Sequence, residues 1–172
     1  MRLVILLLIS ICFTTTLQEA YNNSSAYEEY EKYVILEPGQ TYYGGLGIYE
    51  GNIFIDCQGS TIDLQNQNGI WVYADEDYLA TLDIQYCNII NAAYYGLSFS
   101  GIAAGTITNC NFYNNEIGVK PFDYSEVNIE NCNFINNITY GLGIIGEHVT
   151  VNINYSNSWG CENGDYWENC PG

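Results

Sequence analysis

Four segments of the chain can be laid over one another residue for residue: TLDIQYCNII from Thr81, GTITNCNF from Gly105, EVNIENCNFI from Glu126 and TVNINYSNSW from Thr150. The position held by Cys87 recurs at Cys110, Cys132 and Ser156, a period of roughly 22 to 24 residues. Three positions earlier stand Ile84, Ile107, Ile129 and Ile153; two positions later stand Ile89, Phe112, Phe134 and Ser158. A glycine followed by an apolar residue then returns at Gly96-Leu97, Gly118-Val119 and Gly141-Leu142. One unit of this size cannot bury its apolar face alone, so successive units must stack as a solenoid.

The spacing inside each unit decides which solenoid. Apolar residues alternate, as in Leu82-x-Ile84, Val127-x-Ile129 and Val151-x-Ile153, which is the two-residue period of a half-buried strand. No stretch sustains helical spacing. Tyr86, Asn109 and Asn131 fall between the isoleucine and cysteine positions, where the chain is expected to bend. Asn suits a bend because it tolerates left-handed backbone, and stacked amides can form a ladder. IFIDCQGSTID extends the register upstream, placing Ile55, Cys57, Ser60 and Ile62 in the slots of Leu82, Ile84, Cys87 and Ile89, with Gly69-Ile70 closing the unit. Gly47-Ile48 closes a less regular earlier coil, and YADEDY is a loop pushed out of the stack. The expectation is an all-β parallel β-helix of about five coils with three strands each, over residues 33–160.

On these residues the chain resembles a family. IDCQGSTI, NCNFYNNEIGV and NCNFINNITYGLGI are similar to the right-handed parallel β-helix repeats of pectin-lyase-like proteins, including NosD-like and adhesin-like members. VILEPGQTYYGG resembles the strand entering their first coil, and NSWG their closing motif. The resemblance covers most of the chain and implies the fold; the right hand also follows from the general rule for parallel connections. It implies little about function, since such proteins include lyases, hydrolases, adhesins and proteins without known activity.

Residues 1–20 combine one basic residue, an apolar run from Leu3 to Phe13 and a small residue at Ala20. That pattern is a secretory signal peptide, with cleavage expected after Ala20 or a few residues earlier. A retained anchor is the alternative and would also put the domain outside the cell. Residues 21–32 are an acidic, flexible lead-in, and residues 161–172 are expected to cap one end of the solenoid. Residues 33–50 should cover the other. Four N-x-[ST] sequons, at Asn22, Asn23, Asn137 and Asn154, are acceptor sites wherever the host glycosylates.

The formal net charge is −17. Removing residues 1–20 takes away Arg2 and leaves Lys32 and Lys120 as the basic side chains. Phosphate neutralisation needs Lys and Arg, so no nucleic acid is expected as a partner, and no membrane insertion after signal removal. Six of the 7 cysteines lie beyond the leader. Cys87, Cys110 and Cys132 are expected as buried thiols stacked about 4.8 Å apart, where parallel side-chain vectors would strain a bridge; Cys57, in an isoleucine slot, is expected to be a buried thiol too. Cys161 and Cys170 lie outside the stack and are expected to pair as a disulfide. A lone histidine, His148, and the lack of a C-x₂-C pair argue against zinc.

Enzyme chemistry has few candidates. The resemblance to pectate lyases implies a basic side chain beside carboxylate-held calcium. Here that would mean Lys120 as base with Asp75, Glu76 and Asp77 as ligands. Polygalacturonase-like hydrolysis needs clustered outward aspartates, whereas the outward slots hold Gln85, Thr108, Glu130 and Asn154 in one column and Asp83, Thr106, Asn128 and Asn152 in the next. Asp83 and Glu130 fall in different columns two coils apart, a poor acid/base pair. Repeated Thr-x-Thr of the ice-binding kind occurs once, at Thr106-Ile107-Thr108. The outward column after the glycine runs Tyr49, Trp71, Ser98, Lys120, Gly143, and its neighbour runs Glu50 or Gly51, Tyr73, Ser100, Phe122, Ile145. Small residues flanked by Trp71, Tyr73, Lys120 and Phe122 describe a trough whose rings can stack on sugars. The chain is therefore expected to be a secreted or surface-displayed, non-catalytic glycan or surface binder needing no cofactor. The alternative is a calcium-dependent polyuronate lyase.

Overall fold

The structure, a computed structural model, describes residues 15–166. The chain winds through six coils. The first comprises β2 (Tyr30–Ile35), β3 (Thr41–Tyr43) and β4 (Leu46–Ile48), preceded by α1 (Leu17–Asn23) and β1 (Ser25–Tyr27). The second is β5 (Gly51–Asp56), β6 (Thr61–Gln67) and β7 (Ile70–Ala74), and the third β8 (Ala80–Gln85), β9 (Asn88–Ala92) and β10 (Tyr95–Gly101). Then follow β11 (Ala104–Thr108), β12 (Asn111–Tyr113) and β13 (Ile117–Pro121), then β14 (Glu126–Glu130), β15 (Asn133–Ile135) and β16 (Tyr140–Leu142). The last coil holds β17 (Thr150–Asn154) and β18 (Asn157–Trp159). Equivalent strands pair in parallel, giving sheets in the orders β1-β2-β5-β8-β11-β14-β17, β18-β15-β12-β9-β6-β3 and β16-β13-β10-β7-β4. The six turns agree with the expected three-stranded coil and exceed the expected count by one.

Inward residues form columns because the parallel register sets like over like: Ile55 pairs with Ile84, Ile84 with Ile107, Ile107 with Ile129 and Ile129 with Ile153. Phe112 and Phe134 stack with centroids 5.3 Å apart and an interplanar angle of 15°; each is fully buried, contributing about 1.5–3 kcal/mol by removal from water. The expected bends are present. Tyr86, Asn109, Asn131 and Tyr155 all have φ between 52° and 56°, left-handed backbone that Asn accepts at low cost. Amide ladders brace the corners: Asn131 donates to Asn109, and Asn111, Asn133 and Asn157 donate in turn to Asn88, Asn111 and Asn133.

Three sequence expectations are corrected. First, Ile53 and Ile55, rather than Ile55 and Cys57, lie opposite Leu82 and Ile84. The corner from Asp56 to Thr61 is two residues longer than the one from Gln85 to Asn88. Cys57 therefore starts the corner, its Cα atom 4.9 Å from that of Cys87, and the two form a disulfide. They are buried as expected, but they are not thiols. The longer corner takes Cys57 off the isoleucine column and within bonding reach of Cys87. Cys110 and Cys132 are buried free thiols, and burial, ahead of the Cys132 contact, pushes the Cys110 thiol well above its ordinary range.

Second, residues 21–32 are ordered. Thr16 caps α1 through a reciprocal capping box with Glu19, which satisfies otherwise orphaned amides. Leu17 is completely buried, and Tyr43 N–H donates to the Thr15 carbonyl at 3.1 Å. β1 folds back antiparallel on β2. This segment, rather than residues 33–50, covers the first coil. Cleavage after Ala20 would split α1 and remove Leu17.

Third, the first coil's third strand is shifted by two residues: Leu46 pairs with Ile70 and Gly47 with Trp71, so Gly45-Leu46 closes that unit instead of Gly47-Ile48. At the other end, Asp165 accepts the Gly141 amide at 2.9 Å and Leu142 bridges Tyr166, extending the five-stranded sheet. Cys161 is a free thiol; its expected partner, Cys170, lies outside the described residues.

Candidate functional site

The outer face of the five-stranded sheet carries the aromatic residues. The register aligns Gly47, Trp71, Ser98 and Lys120 in one column. In the next column Ser100 lies beside Tyr73, and Phe122 bridges Ile145. The shift in the first coil moves Tyr49 out of the Trp71 column and two residues along, beside Tyr73. Small side chains at Ser98 and Ser100 leave a floor that the rings around it overhang, and both serines are nearly sealed from solvent.

The result is a cleft of about 410 Å³, in the range of small-ligand sites. Trp71, 46% exposed, forms one wall, and its indole N–H donates to Ser100 Oγ at 2.7 Å. That bond fixes the ring plane. Tyr95 and Phe122 form the opposite wall, edge to face with centroids 5.5 Å apart. Tyr94 and Asp123 stand at its rim. A second cleft of about 630 Å³ lies on the far side of Trp71 and shares Trp71, Tyr94, Asn68 and Gly69 with the first. A third, about 450 Å³, lies among Tyr49, Tyr73, Glu50, Asp75 and Tyr78. Trp71 contacts both Tyr49 and Tyr73 edge-on, at 5.7 and 6.3 Å.

Of the four residues expected to bind sugar, the structure brings Trp71 and Phe122 into one cleft and puts Tyr73 in the third. Lys120 is placed differently. It is 6% exposed, with Nζ 3.3 Å from Tyr95 Oη and 4.6 and 5.1 Å from the centroids of Tyr95 and Phe122. It lies beneath the wall and supports the rings by cation–π attraction; it does not line the cleft. Tyr94 and Tyr95 were missed because they precede Gly96, whereas the sequence columns were counted from the residues after the glycine. A Tyr-Tyr pair entering a strand beside an outward Trp column was the available signal.

The acidic loop does not assemble into a metal site. Asp75 Oδ1 accepts the amides of Asp77 and Tyr78 at 3.0 and 2.8 Å, closing a tight turn. Among the described residues no group of three or more His, Cys, Asp or Glu side chains is placed to hold an ion. His148 stacks on Tyr124 at 4.7 Å with an interplanar angle of 3°, so it has a partner the sequence did not suggest. Tyr33 and Phe54 also stack, at 4.7 Å and 19°, on the outer face of the seven-stranded sheet. Tyr30 joins them, and its hydroxyl donates to Asp83 at 2.9 Å. Of the four sequons, Asn22, Asn23 and Asn154 are exposed, whereas Asn137 is 1% exposed and bonded inside the coil. It is a structural amide in the folded chain.

A three-sheeted solenoid with these repeats defines a class before any comparison is made. The chain matches the family described as the right handed beta helix region over residues 44–164, more than two thirds of its 172 residues, and belongs to that family. No curated protein and no solved structure matches it significantly.

Proposed function

We propose that this protein is an exported, non-catalytic β-helix that holds a glycan or another surface-borne partner on the outer face of its five-stranded sheet. One observation carries the reading: Trp71 faces Tyr95 and Phe122 across a cleft of about 410 Å³ floored by serines, with the Trp71 ring fixed by its bond to Ser100. Rigid, partly exposed rings offer the flat apolar faces of a sugar a stacking surface at little entropic cost. The apolar run from Leu3 to Phe13 and the buried Cys57–Cys87 bridge support an extracellular place, where disulfides persist. No described helix is long and apolar enough to cross a membrane.

The test is retention on a panel of polysaccharides, with calcium and with EDTA, followed by assay for unsaturated products. Retention without products, independent of calcium and weakened at least ~10-fold by Trp71→Ala, is expected, since a buried aromatic anchor dominates such contacts. Calcium-dependent product formation abolished by Lys120→Ala would replace binding with lyase chemistry.

A further inference from the structure

The cleft has a charge bias that its aromatic walls do not set. Besides the hydroxyls of Tyr94 and Tyr95, its polar side chains are Asn68, Ser98, Ser100 and Asp123. Ser100 is already engaged, accepting from Trp71 at 2.7 Å and donating to the Val72 carbonyl at 3.4 Å. Asp123 is the one carboxylate lining the cleft among the described residues, and it is exposed. Its Oδ2 accepts the Gly101 amide at 2.9 Å, which holds the carboxylate at the rim. The nearest cation, Lys120, is sealed under Tyr95 and Phe122. Among the described residues, a molecule entering the cleft therefore meets a carboxylate and aromatic faces, and no ammonium. The third cleft carries Glu50 and Asp75, and the chain as a whole carries a formal −17. Concave surfaces lined by one sign concentrate the opposite charge.

Resting on the glycan-binding reading above, we infer that the ligand is an amino-sugar glycan with free amines, a ring of which stacks on Trp71 while its ammonium pairs with Asp123. Charge-assisted N–H···O bonds are about twice as strong as neutral ones, so free amines are selected over their N-acetylated counterparts. Uronates meet repulsion from Asp123 and from the surrounding acids. The same bias disfavours a polyuronate as substrate.

The experiment is calorimetric titration of the full chain with three probes: glucosamine oligomers, the same oligomers fully N-acetylated, and galacturonate oligomers. Free-amine oligomers are expected to bind ~10-fold more tightly than N-acetylated ones, and galacturonate not at all, because the ion pair is strengthened by the acidic surround. Asp123→Asn preserves an acceptor for Gly101 and suits the left-handed backbone at this position, φ 57°, so it tests charge without unfolding the rim. It should bring the two glucosamine forms to within ~2-fold of each other, as should raised salt. Glu130→Gln, an exposed acid on the seven-stranded sheet, should change neither and separates the site from general attraction to an acidic protein. Equal affinity for the free-amine and acetylated forms, or an unchanged preference in Asp123→Asn, would overturn the amino-sugar inference. If Trp71→Ala still weakened binding in that case, the glycan reading would stand. Failure of the glucosamine oligomers to bind would likewise overturn the amino-sugar inference, whereas the glycan reading falls only if no polysaccharide of the panel is retained in a Trp71-dependent way.

Discussion

Asn137 shows how one residue can be read two ways. Its sequence context is a glycosylation acceptor, yet its amide lies inside the coil, donating to the Phe112 carbonyl at 3.1 Å while its oxygen accepts from the Asn115 amide and side chain, both at 3.1 Å. Asn115 repeats the pattern one coil earlier, donating to Ile89 and accepting from Ala92. Each amide thus satisfies backbone groups turned into the core at a corner. Asn137→Ala should destabilise the fold by about 2–3 kcal/mol, because it strands several buried groups at once. Urea denaturation checks this, and a loss under ~0.5 kcal/mol would contradict it. Tyr30 offers a pH counterpart. Burial first, then its bond to Asp83, pushes the phenol up to about 12 from 10.0. A raised folded-state value means the contribution is intact below pH 10 and is lost as pH rises from there through about 12. Tyr30→Phe should flatten that part of the stability profile, and an unaltered profile would count against the Tyr30–Asp83 contact.

Among the elements, the N-terminal cap depends most on a few side chains. The helix Leu17–Asn23 has seven residues, too short to persist alone, so its stability comes from the capping box and from Leu17 inserted over the first coil. Leu17→Ala should cost about 2–4 kcal/mol and expose the edge of the first coil, read as a lower thermal midpoint with new self-association; an unchanged midpoint would show the cap to be dispensable. This element was poorly legible in the sequence. Thr16-x-x-Glu19 is a capping signal, but it adjoins an apolar run that reads as a leader, and the export signature took precedence over it. The repeats were legible because parallel stacking demands like residues at like positions, and Ile84, Cys110 and Asn131 all fell where their periodicity put them. Legibility failed where a corner changed length. The extra residues at Gln58-Gly59 moved Cys57 off its column and into bonding distance of Cys87, and a shift before Leu46 moved Tyr49 by one column. The walls of the cleft were half legible. Trp71 and Phe122 follow from strand alternation, whereas Tyr94, Tyr95 and Asp123 sit at strand ends, which no two-residue period reaches.

Across the whole molecule, a stack of coils presents a grooved aromatic face on its five-stranded sheet. Its rigidity is what gives the rings their fixed spacing: Trp71, Ser98 and Lys120 are held one coil apart by continuous backbone pairing, so a ligand meets a surface already in its bound form and little ordering is left to offset affinity. The central claim is that this groove, and Trp71 in particular, contacts the ligand. It is tested most directly by tryptophan emission in a Trp159→Phe, Trp167→Phe variant, where Trp71 alone reports, titrated with the glucosamine and N-acetylated oligomers. A saturable change in Trp71 emission is expected, with a midpoint that matches the calorimetric affinity and a weaker response to the acetylated form. Saturable binding that leaves Trp71 emission unchanged would place the ligand elsewhere on the solenoid and contradict the account.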